Sequence, residues 1–537
     1  MNFRIVARPS ISQERLHAFL SDPRSFPERP SRVRVVQTHA SYLVLTPRHV
    51  YKVKKPVNFG FLDFSTLEKR RYFCEREVAL NRRLCPGVHL GVLPIVRHEG
   101  RLAFGTEGRV VEVAIAMRRL PERHFMLARM RRGEVTTRDV DAIVARLAPF
   151  YEAQHPTPEI AAWGRVAKLR ISTDENFRQT EEFAGVTLSR AAFAAIRHFT
   201  ATFYRQHSAL FAARVREGRI RDCHGDLHLE HIHLSRAGLT IYDCIEFNDR
   251  FRYIDVASDA AFLAMDFDFH ARPDLARHFS ARLARALHDP GLLTLLDFYK
   301  CYRAYVRGKI ESFQHIAVGV PEPECVKSRA RAERYFRLAL QYAVCGSEPL
   351  VLIVMGRVGS GKSTLARALG RELGWEVCSA DPIRKELAGV PLHVRGSVSE
   401  RRRLYSKTMT DRTYAALAHH AATGLQQHRG LILDATFASR RRRECIRRAL
   451  SRAGARYCFI EVQAPSATIK KRLAARGRST TEVSDARLED LPMLASTYEP
   501  PTELDSIHFV SVKTSRNSET DVIATLKRLA QREARTP

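Results

Sequence analysis

Between Val351 and Thr364 the chain reads VLIVMGRVGSGKST, an apolar run that opens directly into Gly356, Gly359, Gly361, Lys362 and Ser363. This is the phosphate-binding pattern G-x-x-x-x-G-K-[ST], set after a predicted strand and before a predicted helix. The glycines, with Arg357, Val358 and Ser360 between them, let successive backbone N–H groups turn inward around a triphosphate. Lys362 can reach the β- and γ-phosphates, the Ser363 hydroxyl can join a Mg²⁺ shell, and Thr364 closes the motif. The following helix carries Leu365, Leu369 and Leu373 on one stripe and Gly374 at its end, so its positive N-terminus points at the phosphates.

Downstream the pattern alternates. A short strand ends near Ser379, a long helical region runs to about Gln427, and LILDAT, YCFIEV and HFVSV read as strands with helices between and after them. Such alternation predicts a parallel sheet covered by helices on both faces. Upstream, the first ~120 residues read as strand-rich, with SYLVLTP, HVYKVKK and VVEVAIAM as strands and Ser65 to Leu84 as a helix. A helix from Thr136 to Gln154, capped by Thr136 or Thr137, opens a helical stretch to about Ala343, and CGSEP reads as a linker. The fold expected is an α+β domain over 1–345 (lobes at about 30–120 and 121–345) and an α/β P-loop NTPase domain over 348–537.

A chain of 537 residues exceeds one ordinary core. No apolar run approaches the ~20 residues needed to cross a bilayer, and the opening MNFRIVARPSIS has no apolar signal core. The ten cysteines are scattered without a C-x-x-C pair, which suits reduced thiols and a cytoplasmic setting. The net charge of +30 raises a nucleic-acid reading. Arginine is nevertheless dispersed, and its clusters at Arg401–Arg403 and Arg440–Arg443 lack the aromatics that single-strand stacking requires.

In the second half, Asp434 ends an apolar strand, where a second acidic residue holds the Mg²⁺ shell through water or caps the next helix. Asp381, just past the second strand, can accept a proton from an attacking hydroxyl while Arg384 orients the acceptor. Asp381 with Pro382 behind it is equally good capping chemistry. Arg472 and Arg476, four apart on one helix face, can close over a transferring phosphate or form a solvated face. VMGRVGSGKSTLA, SADPIRKELAG, LILDATF and RLAARGRS with SDA at Ser484–Ala486 together resemble the small P-loop kinase-type ATPases. That group is similar to gluconate kinases, chloramphenicol phosphotransferases and polynucleotide 5′-hydroxyl kinases. The resemblance, over about 348–537, implies Asp381 as hydroxyl-activating base, Arg384 as its acceptor partner, and Arg472 and Arg476 as lid arginines.

The first half carries CHGDLHLEHIHL followed by TIYDCIEF. Asp226 after His-Gly has the place of a kinase catalytic Asp, and Asp243 at the end of a short strand has that of the Mg²⁺-binding Asp. Lys52, with Lys54 as alternate, is the candidate phosphate-pairing lysine, and Glu77 the helix glutamate that holds it. These residues resemble the aminoglycoside phosphotransferase family, a branch of the protein-kinase-like fold, over about 30–310. Asp259 matches a buried structural Asp of that family. The order of the halves resembles the bifunctional aminoglycoside phosphotransferase/ATP-binding proteins.

Two departures stand out. His231 occupies the place where the family pattern has an Asn metal ligand, and no G-x-G-x-x-G lies between Val36 and Val50, where THAS is the only turn. A rival reading gathers Cys223, His224, His228, His231 and His233 into a zinc-like cluster. The expectation is an ATP- and Mg²⁺-dependent phosphotransferase acting on a hydroxyl-bearing small molecule. The alternatives are a polynucleotide 5′-hydroxyl kinase or nucleic-acid-binding ATPase, and a regulatory ATPase whose first half is non-catalytic. So basic a chain disfavours polycationic aminoglycosides as acceptors.

Overall fold

Every side chain of Leu350–Met355 is buried, as the middle strand of a helix-covered parallel sheet requires. Each fully buried Val, Leu or Ile contributes about 1.5–3 kcal/mol to keeping it there. The computed structural model describes residues 11–317, 319–392, 398–425, 430–477, 488–514 and 517–535. Its contacts divide the chain into two units, Met1–Ile171 with Ala209–Tyr299, and Ser172–Ser208 with Lys300–Pro537.

The first unit opens on strands β1 (Arg34–Gln37), β2 (Ser41–Leu45), β3 (His49–Lys54), β4 (His89–His98), β5 (Arg101–Phe104) and β6 (Arg109–Arg118). They form one antiparallel sheet in the order β1-β2-β3-β6-β4-β5. Alternation along β3 sends Tyr51 and Val53 to a core shared with Tyr42, Val44 and Ile95. The opposite face carries Lys52 and Lys54. The helix Leu67–Arg82, capped by Thr66 accepting from the Lys69 N–H at 3.3 Å, packs on β4 and β6 through Cys74 and Val78. Four short strands follow, β7 (Ile220–Asp222), β8 (Ile232–Ser235), β9 (Gly238–Ile241) and β10 (Tyr253–Asp255). β8 pairs with β9 and β7 with β10, both antiparallel. The helix Thr137–Ala153 starts as read, with the Thr136 N–H donating to Asp139 Oδ2 at 2.8 Å. The turn after Gln37 closes by itself, the Thr38 N–H reaching Ser41 O at 2.8 Å.

The second unit contains β11 (Leu350–Met355), β12 (Glu376–Ser379), β13 (Gly430–Asp434), β14 (Arg456–Gln463) and β15 (Phe509–Lys513). All pair in parallel in the order β12-β13-β11-β14-β15. Because β13 and β14 flank β11 on opposite sides, the strand order reverses at β11, and its carboxyl end faces the crevice where ligands of open α/β sheets bind. The parallel sheet expected from the sequence is therefore present. The long helical region expected to about Gln427 is broken into Ala380–Ala388, Val398–Leu404 and Lys407–Gly424.

The boundary expected at 345–348 does not coincide with the division of contacts. Helices Arg190–Gln206 and Glu322–Cys345 pack with Ser518–Glu533 inside the second unit. Arg190–Gln206 turns Ala195, Ile196, Phe199 and Phe203 inward, and Ser518–Glu533 turns Val522, Leu526, Leu529 and Ala530. Two such apolar stripes bury each other, whatever their separation in sequence. No helix among the described residues is long and apolar enough to cross a membrane.

Candidate functional site

Strand periodicity puts Lys52 and Lys54 on one face, and helix Leu67–Arg82 lays Glu77 across both. Lys52 Nζ donates to Glu77 Oε1 at 2.8 Å and to Asp243 Oδ1 at 3.1 Å. Lys54 Nζ donates to Glu77 Oε2 at 2.6 Å and to Glu246. Lys54 is sealed in, whereas the Lys52 side chain keeps 17% of its surface. The alternate lysine is thus the internal member of the pair, and Lys52 is the one presented to Asp243. Burial pushes the Glu77 carboxyl up, but the two ammonium groups together outweigh it and hold it ionised well below the usual range. Glu246 is pushed up, chiefly by burial, against the pull of Lys54.

Asp243 has a left-handed backbone, φ 64°, which a non-glycine residue adopts at a cost of about 1–3 kcal/mol. Its neighbours hold it there. The Tyr242 N–H donates to His231 O at 3.1 Å, the Cys244 N–H to Asn81 Oδ1 at 3.0 Å, and the Ile245 N–H to His224 O at 3.1 Å. Burial would raise the Asp243 carboxyl, yet Lys52 and His231 hold it far below the ordinary value.

The loop bearing Asp226 is pinned from beneath. Asp259, fully buried, accepts the His224 and Gly225 N–H groups and the Tyr151 hydroxyl, each at 2.9 Å. At Gly225, φ 88°, a Cβ would sit 2.8 Å from Phe251 O, so the turn requires glycine. Asp226 is half-buried beside two imidazoles, 3.5 Å from His228 Nε2 and 3.6 Å from His231 Nδ1 through Oδ2. His231 Nε2 lies 3.4 Å from Asp243 Oδ2. The structure therefore brings Lys52, Glu77, Asp226, His231 and Asp243 together.

The five-membered zinc-like cluster does not form. Both His224 nitrogens are engaged, Nε2 with Tyr242 O at 2.9 Å and Nδ1 by the Asp226 N–H at 3.3 Å. Cys223 is sealed under Ile254 O, and burial drives its thiol far up, so it stays protonated. His233 packs edge-on against Phe125. Among the described residues, the group able to share an ion is Asp226, His228 and His231.

In the second unit, Gly356, Gly359 and Gly361 all have positive φ, and a Cβ on Gly356 would lie 2.4 Å from Val462 O. That leaves the loop as a bare backbone cradle between β11 and helix Lys362–Leu373. Lys362 Nζ donates to Arg357 O at 3.0 Å across the loop, and the Arg357 guanidinium lies over the Tyr498 ring at 5.6 Å. The buried Ser360 hydroxyl has no hydrogen-bond partner among the described residues. Asp434, at the carboxyl end of β13, is bonded by the Ser363 hydroxyl and by the Ser379 hydroxyl at 3.1 Å. Burial raises its pKa, Lys362 and those hydroxyls oppose the shift, and nearby Asp381 adds to it. An open glycine cradle beside a lysine, a hydroxyl and a carboxylate fits a metal-bound polyphosphate.

Asp381 is half-buried in the first turn of helix Ala380–Ala388, whose cap is Ser379, so Asp381 is not the cap. Arg384 is buried, donating to Leu404 O and Thr410 Oγ1 at 3.3 Å each beneath the Tyr405 ring. That guanidinium ties helices together rather than standing free beside Asp381. Arg472, expected as a lid residue, instead donates to Ser360 O at 2.8 Å and Thr514 Oγ1 at 3.1 Å. A guanidinium so anchored braces the phosphate loop from below. The Arg476 side chain and Ser484–Ala486 lie outside the described residues. Sequence reasoning missed Glu246 and Thr514, and named His228 only within the zinc-like cluster. Glu246 alone had a signal, as the acid of DCIEF.

The AAA domain family model (AAA_33) matches residues 351–501. The uncharacterized protein Rv2004c of Mycobacterium tuberculosis is 32% identical over 466 residues, 86% of this chain and 90% of that protein. The uncharacterized protein Mb2027c of Mycobacterium bovis matches with the same identity and coverage. Among solved structures, a gluconokinase from Sinorhizobium meliloti 1021 is 20% identical, covering 34% of this chain and 91% of its own, with a TM-score of 0.25. The Mycobacterium tuberculosis APS kinase CysC, in complex with AMPPNP and APS, is 18% identical over 34% of this chain and 97% of its own, with a TM-score of 0.24.

Proposed function

The chain belongs to the family of the two mycobacterial proteins, and we propose that it is an ATP-dependent phosphotransferase with two nucleotide sites, one in each unit. A match of 466 residues is longer than either unit, so the family carries both. The observation that carries the reading is the convergence of Lys52, Glu77, Asp226, His231 and Asp243 from four separate stretches of chain. It recurs in different form around the phosphate loop, where Ser363 meets Asp434.

In the first unit Lys52, fixed by Glu77, is placed to pair with phosphate oxygens, and Asp226 to take the proton of an acceptor hydroxyl. Asp243 and His231 supply an oxygen and a nitrogen for a divalent ion. In the second unit the loop N–H groups and Lys362 would hold a triphosphate, Ser363 and Asp434 its Mg²⁺, and Asp381 the acceptor proton. When bound, Mg²⁺ supplies neutralisation of the charge that develops on the transferring phosphoryl group. The protein's share is positioning and preorganised charge. We propose Arg384 and Arg472 as positioning residues.

The proximity of Lys52, Glu77, Asp226 and Asp243 supports a catalytic first unit over a regulatory one. The acceptor proposed is a small hydroxyl compound. The arginine cluster on helix Arg440–Arg452 is partly spent on the fold, since Arg443 is buried on Glu503 and Arg442 lies over the Tyr414 ring. The test is ATP consumption by the full chain against a library of small hydroxyl compounds and 5′-hydroxyl oligonucleotides, with Lys362→Ala and Asp226→Ala alongside. A small acceptor that stimulates turnover, lost in one variant, is the expected result. Stimulation by oligonucleotides only, through Lys362, would make the acceptor class wrong.

A further inference from the structure

Alternation along β14 puts Tyr457, Phe459, Glu461 and Gln463 on one face of the parallel sheet. Helices Ala380–Ala388, Lys407–Gly424 and Arg440–Arg452 cover that face, where Ile383, Leu417 and Ile446 share a core with Phe459. Asp381 belongs to the first of these helices. Helix Lys362–Leu373 packs on the other face, with Gly370 against Val377 and Ile432. Toward the carboxyl end of β14 the Asp381 face turns polar. Glu461 is buried and stands in register with Met355, the residue before the phosphate loop. The Tyr498 hydroxyl donates to Glu461 Oε1 at 2.7 Å, and Gln463 Nε2 donates to Oε2 at 2.7 Å.

The chain after Tyr498 is locked as well. The Glu499 N–H donates to Ala438 O at 2.8 Å, and the buried Arg443 guanidinium donates to Phe437 O and Glu499 O at 3.0 Å each. Tyr498 is thus a fixed platform, and the Arg357 guanidinium lies on it, 5.6 Å from the ring centroid. Arg384 and Arg472 spend their donors on carbonyls and hydroxyls of the fold. Arg357 does not. Its side chain is exposed, and among the described residues no carboxylate lies within ion-pair distance of it. Its N–H donors form a planar fork that fits a carboxylate or a phosphate. Its own carbonyl accepts from Lys362 Nζ at 3.0 Å. The backbone of this residue therefore serves the phosphate cradle, while its side chain serves the face on which Asp381 stands. The loop N–H groups and Lys362 are there for the nucleotide's phosphates, so a further anion on that face belongs to the acceptor.

We propose that the acceptor of the second unit is an anionic hydroxyl compound, a phosphate monoester or a carboxylate, whose charged group binds Arg357 on the Tyr498 platform. The inference rests on the reading of this unit as a phosphotransferase with Asp381 at the acceptor hydroxyl, and it names the class of that acceptor.

The experiment is a titration of inorganic phosphate into the full chain saturated with a non-hydrolysable ATP analogue and Mg²⁺, read by calorimetry. Phosphate should bind beside the analogue. Arg357→Met should weaken that binding about tenfold or more, the loss of a charge-assisted pair, with affinity for the analogue unchanged. Arg357→Lys keeps the charge without the fork and should fall between. Arg441→Met, an equal loss of charge at an exposed position, should leave phosphate binding as it was. In the turnover assay, acceptors that depend on Lys362 should carry an acid group, and Arg357→Met should raise their KM with kcat little changed. No phosphate bound beside the analogue, an isotherm indifferent to Arg357→Met, or a neutral acceptor turned over through Lys362 would overturn the proposal. So would a fall in analogue affinity in Arg357→Met, which would put the guanidinium on the nucleotide. Analogue binding by the unaltered chain and its loss in Lys362→Ala are measured first. Their absence would sink the nucleotide reading of this unit and the inference with it, whereas an isotherm indifferent to Arg357→Met sinks the acceptor class alone.

Discussion

Lys52 and Lys54 share one glutamate yet have different duties, because one faces an opening and the other is sealed in. Lys54→Met leaves Glu246 buried without its cation and takes one of two from Glu77. The expected cost is about 3–5 kcal/mol of stability, read as a fall in the urea midpoint. Lys52→Met should cost less stability and abolish nucleotide binding to the first unit, read by calorimetry. Glu77 also sets an acid limit. Its folded pKa, about 2, lies below its ordinary value of 4.5. Its contribution is therefore complete above pH 4.5 and is lost as pH falls toward 2. Glu77→Gln should flatten that limb of the stability profile while lowering stability at neutral pH. Asp226 and Asp243 were legible in the sequence because a turn after His-Gly and an aspartate ending a strand are local features. Glu246 was not, because only the packing of helix Leu67–Arg82 onto β4 and β6, which sets Glu77 beside Lys54, shows that its charge is enclosed.

The phosphate loop is an element built around missing side chains. At Gly356 a Cβ would lie 2.4 Å from the backbone oxygen of Val462, which cannot yield without disturbing β14. Gly356→Ala should lower the melting temperature and remove nucleotide binding to the second unit. Thr514→Val removes a hydroxyl that donates to Ser360 O at 2.8 Å and leaves Arg472 to hold that carbonyl alone. The expected effect is a rise of about tenfold in the apparent KM for ATP, the equivalent of one hydrogen bond, with kcat little changed. Strand β11 was legible because an apolar run opening into glycines has one structural use. The role of Arg472 was not. Helical periodicity places it on a face, but only the fold shows that this face meets the loop.

At the scale of the molecule, the two units are not consecutive in the chain. An amphipathic pattern shows that a helix buries one stripe and is silent about which sheet or helix receives it. Helices Arg190–Gln206 and Glu322–Cys345 therefore read as parts of the first half, although they pack with the second. A fragment beginning at residue 348 would expose the stripe formed by Val522, Leu526, Leu529 and Ala530. Expressed alone it should aggregate or melt well below the full chain, by light scattering and calorimetry. The central claim is that each unit carries its own nucleotide site. The most direct test is the stoichiometry of a non-hydrolysable ATP analogue bound to the full chain by equilibrium dialysis with Mg²⁺ present. Two equivalents are expected, one after Lys362→Ala, one after Lys52→Ala, and none in the double variant. A single equivalent, lost with Lys362→Ala and indifferent to Lys52→Ala, would contradict it.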